Sequence, residues 1–302
     1  GRGGGIFIDS EAQVEMYSVQ VEFNTAGLGG WGEGGGIYQT GDSQLYAERT
    51  HIQGNQSGID TRGIGGGLYV ASGGFAELER VEVLENHATR HGGGVYLEEE
   101  AQLKSNYLIV LGNIVEGDTV NYGGGIYSLG DVHVARSDIS ENQAGVEGSN
   151  GRGAGVYNLG LFTADESLIA DNWASRNGGG VVSVGVTNLI TSTLSGNVAY
   201  LGNGGGYWSL HQTPEYEDVC DPDAGDVFIQ VTVAENEAGV GGPGLHFQGG
   251  ADACLINSVV ADECNFIGST AVAYGVGQNA ESVSGGCGLG GLLLTDTEMD
   301  LG

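Results

Sequence analysis

Residues 84–97 read LENHATRHGGGVYL. An asparagine, Asn86, is followed six residues later by a glycine triplet, Gly92–Gly94, then an aliphatic residue, Val95, and an aromatic one, Tyr96. The same phrase recurs along the whole chain. Triplets begin at Gly3, Gly34, Gly65, Gly92, Gly123, Gly153 (as Gly-Ala-Gly), Gly178, Gly204 and Gly242 (as Gly-Pro-Gly), at intervals of 25 to 31 residues with a last interval of 38. The asparagines are Asn24, Asn55, Asn86, Asn113, Asn142, Asn172, Asn197 and Asn236. From triplet start to asparagine the distance is 21 four times, then 19 three times, then 32. From asparagine to the next triplet it varies between 6 and 11. One half of each repeat is nearly fixed and the other varies, as expected of stacked rungs whose loops leave at one corner.

Aligned on the asparagine, the residues three positions earlier are Val21, Ile52, Val83, Val110, Ile139, Ile169, Leu194 and Val233. All are aliphatic and all but Leu194 are β-branched, which suits strands. Aligned on the triplet, the first residue after it is aliphatic in eight rungs, from Ile6 to Leu245, and Tyr207 in the other. The next position carries Phe7, Tyr38, Tyr69, Tyr96, Tyr127, Tyr157, Val182, Trp208 and His246. Neighbouring strand residues face opposite sides, so an inward aliphatic column implies an outward aromatic one. Short strands, no helical period and a 25–31-residue repeat predict an all-β fold: a single-stranded right-handed parallel β-helix of about nine rungs. Stacking turns each marker into a ladder. Glycine permits a positive φ and close backbone approach at a corner, and asparagine tolerates the left-handed conformation and bonds along the stack. The triplet is not a nucleotide loop: no Gly-Lys-Ser/Thr ending and no strand-to-helix context accompany it.

The chain has 302 residues, 60 glycines and 3 prolines, with 39 acidic against 9 Lys and Arg residues and a formal charge of −30. Such a surface repels nucleic acid and anionic membranes and attracts cations. No apolar run is long enough for a membrane-spanning helix. The sequence enters directly at a repeat, GRGGG, so the expectation is a processed piece of something longer, or a rod whose bare end meets a neighbour and assembles into fibres.

Two phrases, SENQAGVEGSNGRGAGVYNLG (140–160) and LSGNVAYLGNGGGYWSL (194–210), resemble the repeats of bacterial right-handed β-helix surface proteins. These include the polymorphic outer-membrane proteins and the CSLREA-type family. INSVVADEC (256–264), AYGVGQNAESVSGGCGLGG (273–291) and LLLTDTEMDLG (292–302) resemble the closing segment of choice-of-anchor Q proteins. The sequence departs from that pattern at Glu263, where the family has asparagine, and after Thr295–Asp296, where no proline follows. The resemblance implies a secreted or surface-displayed protein. It divides the chain into rungs over 1–253, with an insertion over 211–226, and a last rung with a closing segment over 254–302.

All four cysteines, Cys220, Cys254, Cys264 and Cys287, lie in the last third, without metal-type spacing. An even, clustered set favours disulfides and an oxidising compartment, extracellular or at the cell surface. Three pairings are open; Cys220–Cys254 and Cys264–Cys287 is the one favoured here, with a cysteine metal site as the alternative.

Three sets of residues are candidates for ligands. Eight positions after the triplet start stand Glu11, Asp42, Gly73, Glu100 and Asp131. Glu11 and Asp42, and Glu100 and Asp131, are expected on adjacent rungs, where like carboxylates need a cation such as calcium between them. The insertion HQTPEYEDVCDPDAGD adds Asp218, Asp221, Asp223 and Asp226 to the calcium candidates. The alternative is solvated turn acids. Calcium is the one cofactor foreseen and none is required. The second set, Tyr38, Tyr69, Tyr96, Tyr127 and Tyr157, is a candidate platform for sugar rings, the alternative being mutual stacking that shields the sheet. The third, Arg90 with His87 and His91, is the one evident basic cluster and lies in a variable loop.

These readings lead to a non-enzymatic surface, adhesion or structural protein whose partners are copies of itself, neighbouring surface proteins or glycans. The rivals are a carbohydrate-active β-helix enzyme, lyase or glycoside hydrolase, and a calcium-dependent glycan-binding module. A lyase needs a Lys or Arg base, and the chain has one lysine, Lys104. A glycoside hydrolase needs two carboxylates facing across a groove, and none is singled out among 39 acids.

Overall fold

A computed structural model describes the chain except for residues 60–61, 118–119, 211–219, 221–224, 250, 268–271, 283–285, 290–291 and 295–302. The fold is a parallel β-helix of about eight full turns, with no helix among the described residues. As far as Glu237–Ala238 each rung lays three strands and a two-residue fourth onto the rung before, the three longer sheets continue beyond it, and every strand pairing among the described residues is parallel.

The first sheet follows the triplets, from Ile6–Ile8 through Val95–Leu97 to Cys264–Ile267. The second, here called the long face, holds mostly five-residue strands from Gln13–Tyr17 to Val272–Val276. The third runs from Gln20–Glu22 to Leu292–Leu294, and the two-residue strands after the asparagines form the fourth, from Thr25–Ala26 to Glu237–Ala238. Register follows the repeat: Tyr96 pairs with Tyr69 and Tyr127, and Val83 with Ile52 and Val110. The parallel ladder continues unbroken past residue 253. The expected boundary at 253/254 falls inside the strand Asp252–Ile256, so the rungs and the start of the closing segment are one ladder.

The three glycines of a triplet are required for three separate reasons. Gly92 has a φ of 62°, and the first glycine of every other triplet is likewise left-handed. A Cβ on Gly93 would run into the carbonyl oxygens of Gly124 on the next rung and Ile114 across the coil. A Cβ on Gly94 would sit 2.8 Å from the Gly125 oxygen and 3.0 Å from Cγ of Asn113. The triplet and the asparagine are therefore two sides of one contact, which explains why they recur together.

The aliphatic columns fill the interior: Ile37, Leu68, Val95, Ile126 and Val156 are fully buried, as are Ile52, Val83, Val110 and Ile139. Opposite them the asparagines form a continuous hydrogen-bonded stack. Asn55, Asn86, Asn113, Asn142, Asn172 and Asn197 are all buried. Each donates its backbone N–H and its Nδ2–H to the Oδ1 of the next asparagine and a second Nδ2–H to a carbonyl of the previous rung. The last asparagine, Asn236, donates instead to Oδ2 of Asp262, at 3.0 Å from the backbone N and 2.7 Å from Nδ2. Burial pushes the Asp262 carboxyl above its ordinary range, and the Asn236 hydrogen bonds oppose that shift.

Two disulfides, Cys220–Cys254 and Cys264–Cys287, have Cα–Cα distances of 5.2 and 5.0 Å. Cys264 pairs in register with Leu245, and both Cys264 and Cys287 pack against the core. The second bridge therefore ties the partly buried Cys264 to the buried Cys287 at the C-terminal end of the core, where it resists unravelling of the ladder.

Candidate functional site

The tyrosine column is a stack, as its register requires. From Phe7 through Tyr38, Tyr69, Tyr96, Tyr127 and Tyr157, ring centroids are separated by 5.4, 4.8, 5.0, 5.1 and 5.4 Å, with the planes nearly parallel. The rings are not an exposed platform. Tyr38, Tyr69, Tyr127 and Tyr157 are buried and Tyr96 is half-buried. The cover comes from the residue immediately before each triplet: Arg2, Glu33, Ile64, His91, Tyr122 and Arg152 stack as a column of their own. Arg2 lies over Tyr38 at 5.1 Å, His91 over Tyr127 at 4.7 Å, and Tyr122 over Tyr157 at 4.5 Å. The Tyr69 hydroxyl donates to Oε1 of Glu98. Burial raises the phenol of Tyr96 to about 12 and those of Tyr127 and Tyr157 above the ordinary tyrosine value. The faces a sugar ring would use are occupied by other rings, so the expected platform at Tyr38, Tyr69, Tyr96, Tyr127 and Tyr157 is corrected to an internal spine.

The basic cluster is divided by the same arrangement. His91 belongs to the cover, where burial and then the charge of Arg90 lower its pKa to about 3. His87 lies on the fourth sheet, with Nδ1 3.4 Å from Nε2 of Gln56. Neither His87 nor His91 joins the other in a common site.

The acidic candidates separate in three ways. Glu11 and Asp42 occupy equivalent left-handed corners of adjacent rungs, with φ of 62° and 59°. Glu100 and Asp131 do not stack. Glu100 is at the left-handed corner, φ 65°, whereas Asp131 opens a strand and pairs with Gln102. The turn from Ser128 to Asp131 is two residues shorter than that from Leu97 to Gln102, so the register slips by two between these rungs. Asp226 is not a surface turn acid. It is fully buried in the interior, where Oδ1 accepts from the Thr187 backbone N–H at 2.9 Å and Oδ2 from the Ser209 hydroxyl at 2.9 Å. Asp218, Asp221 and Asp223 lie outside the described residues. Among the described residues no three His, Cys, Asp or Glu side chains come together to hold a metal ion.

The long face presents a different arrangement, which the sequence reading did not single out. Its central outward column runs Glu15, Tyr46, Glu77, Lys104, His133 and Thr163, each paired in register with the next. Two shallow clefts meet at Glu77. One, of about 110 Å³, is lined by Gln13, Glu15, Gln44, Tyr46 and Phe75. The other, of about 220 Å³, is lined by Glu79, Lys104, Asn106, His133 and Arg136. Beside them, the left-handed corner after each long strand carries Arg49, Arg80, Tyr107 and Arg136 on consecutive rungs. Tyr107 is flanked by Arg80 at 5.2 Å and Arg136 at 5.7 Å. Each arginine is held by a carboxylate: Arg49 by Glu48 and Arg80 by Glu79, at 2.8 and 2.9 Å, and Arg136 by Glu166 at 2.8 Å. Lys104 is exposed and makes no ion pair among the described residues. The signal was available in sequence: Lys104 aligns with Glu77 and His133 once strand register is applied, but the column mixes residue types and does not read as a motif.

No helix among the described residues is long and apolar enough to cross a membrane. Two disulfides are at home in an oxidising, non-cytoplasmic compartment. Comparison with protein-family models, with curated proteins and with solved structures gave no match to any of them.

Proposed function

We propose that the chain is a non-enzymatic extracellular or cell-surface protein, a stiff rod that displays its outer faces for adhesion or assembly. The observation that carries this reading is that both conspicuous ladders, tyrosine and asparagine, are taken up by contacts between rungs. They stiffen the coil and leave specificity to the outward side chains and to the loops after each asparagine. The two disulfides and the charge of −30 support the location: the first suits an oxidising compartment, the second a surface bathed in counterions.

The test is brief proteolysis of intact producing cells, paired with labelling by a membrane-impermeant thiol reagent before and after reduction. The reading expects fragments of this chain to be released from intact cells, with thiols labelled only after reduction. Protection until lysis, or free thiols in the folded protein, would refute it.

A further inference from the structure

The geometry points to the long face as a binding groove for an acidic oligosaccharide, with Lys104 as the seat of a sugar carboxylate and Tyr46 and Phe75 beneath neighbouring rings. Three observations carry this.

The first is continuity. The clefts at Tyr46–Phe75 and at Lys104–His133 share Glu77 and follow one outward column over five consecutive rungs. At about 4.8 Å per rung the column is about 20 Å long. The rung rise is close to the length of one pyranose unit, so a short extended oligosaccharide lying along the axis meets one outward side chain per sugar.

The second is the lining. Carboxylates and amides (Glu15, Glu77, Glu79, Gln44, Asn106) gather toward one end and donors (Lys104, His133, Arg136) toward the other, and the aromatic side chains Tyr46 and Phe75 are half-buried at the carboxylate end. Paired acceptors and donors suit hydroxyl groups, and flat aromatic surface suits the apolar faces of sugar rings. The clefts are shallow and open, as a polymer running beyond the site at both ends requires.

The third is charge. Of nine Lys and Arg residues against 39 acids, four (Arg49, Arg80, Lys104 and Arg136) stand on consecutive rungs at this face. The arginines are neutralised by Glu48, Glu79 and Glu166, which fix their positions. Lys104 keeps its charge unpaired among the described residues, beside His133 and on the next rung from Glu77. In a molecule of charge −30 an approaching acid is repelled at long range, so the anion must be recognised at contact, by one cation, with hydroxyl bonds to the flanking groups.

This inference supplies a ligand class for the adhesion reading above and rests on it for its biological setting. Its test is independent, because binding is measured on purified protein and location on cells. The probes are a galacturonate tetramer and the neutral galactose tetramer, titrated calorimetrically into wild type, Lys104→Gln, Glu77→Gln and Tyr46→Ala. All three substitutions lie on the outer face, and equal melting temperatures for Lys104→Gln and wild type verify its fold. Lys104→Gln is expected to weaken the acidic tetramer about tenfold or more while leaving any binding of the neutral one unchanged. Glu77→Gln is expected to tighten the acidic tetramer by removing a neighbouring like charge, and Tyr46→Ala to weaken both. Absence of acidic-tetramer binding by wild type at millimolar concentration, or equal affinity of wild type and Lys104→Gln, would overturn the proposal.

Discussion

The Oδ1 of Asn86 accepts two hydrogen bonds from Asn55, 2.9 Å from its backbone nitrogen and 3.0 Å from its Nδ2, while the Nδ2 of Asn86 donates 2.8 Å to the Ile52 carbonyl. One side chain thus satisfies buried groups on the rung below and, through Asn113, is held by the rung above. Asn86→Ala leaves two donors and a carbonyl unpaired in a buried site, at about 1–3 kcal/mol each where no water enters. The expected result is a loss of about 3 kcal/mol or more in denaturant unfolding, against less than about 0.5 kcal/mol for the exposed Gln102→Ala.

Asp262 ends the same stack, and its folded pKa is raised mainly by burial. Between the unfolded and the raised folded pKa, the native state binds more protons, so stability falls as pH rises through that window. Asp262→Asn keeps an acceptor for Asn236 and removes the buried charge. The variant should be more stable than wild type at pH 7, and the difference should shrink as pH falls toward 4. Melting curves at the two pH values measure it.

His91 works in the opposite direction. Its folded pKa of about 3 lies below the ordinary value, so its stabilising contribution is complete above pH 6.5 and is lost as pH falls toward 3. Its ring protons should show no titration by NMR between pH 7 and 5. His91→Phe keeps a flat ring between Tyr122 and Tyr127 and should reduce the acid sensitivity of unfolding.

Glu141 stands at a left-handed corner with φ 54°, in the column that holds Gly54, Gly112 and Gly196 on other rungs. Its side chain is exposed, so backbone conformation dominates the effect of substitution. Glu141→Asn should be nearly neutral, whereas the β-branched Glu141→Val should cost about 1–2 kcal/mol. Equal stability of the two variants would contradict the left-handed corner.

The repeat made much of this legible. Glycine triplets, the asparagine column and the aliphatic positions gave a parallel coil, because in-register stacking requires like residues at like places. The slip at Glu100–Asp131 was also written in the spacing: the triplet-to-asparagine distance falls from 21 to 19 at that rung. Counting from the triplet alone hid where the two residues were lost, namely the turn Ser128–Asp131. The burial of the tyrosines was harder to read. Their cover is Arg2, Glu33, Ile64, His91, Tyr122 and Arg152, which share a position but no chemistry. Asp226 follows an insertion that breaks the count, so its place in the interior column beside Thr187 could not be reached from composition or motif. The Lys104 groove escaped because one lysine in a column of mixed types carries no periodic signal.

The decisive measurement is a structure of the protein with the galacturonate tetramer bound. The account predicts the oligosaccharide along Tyr46, Glu77, Lys104 and His133, a carboxylate within hydrogen-bonding distance of Nζ of Lys104, and the rings from Tyr38 to Tyr157 still stacked and covered. A tetramer seated on the tyrosine column, or one bound with Lys104 free in solvent, would contradict it.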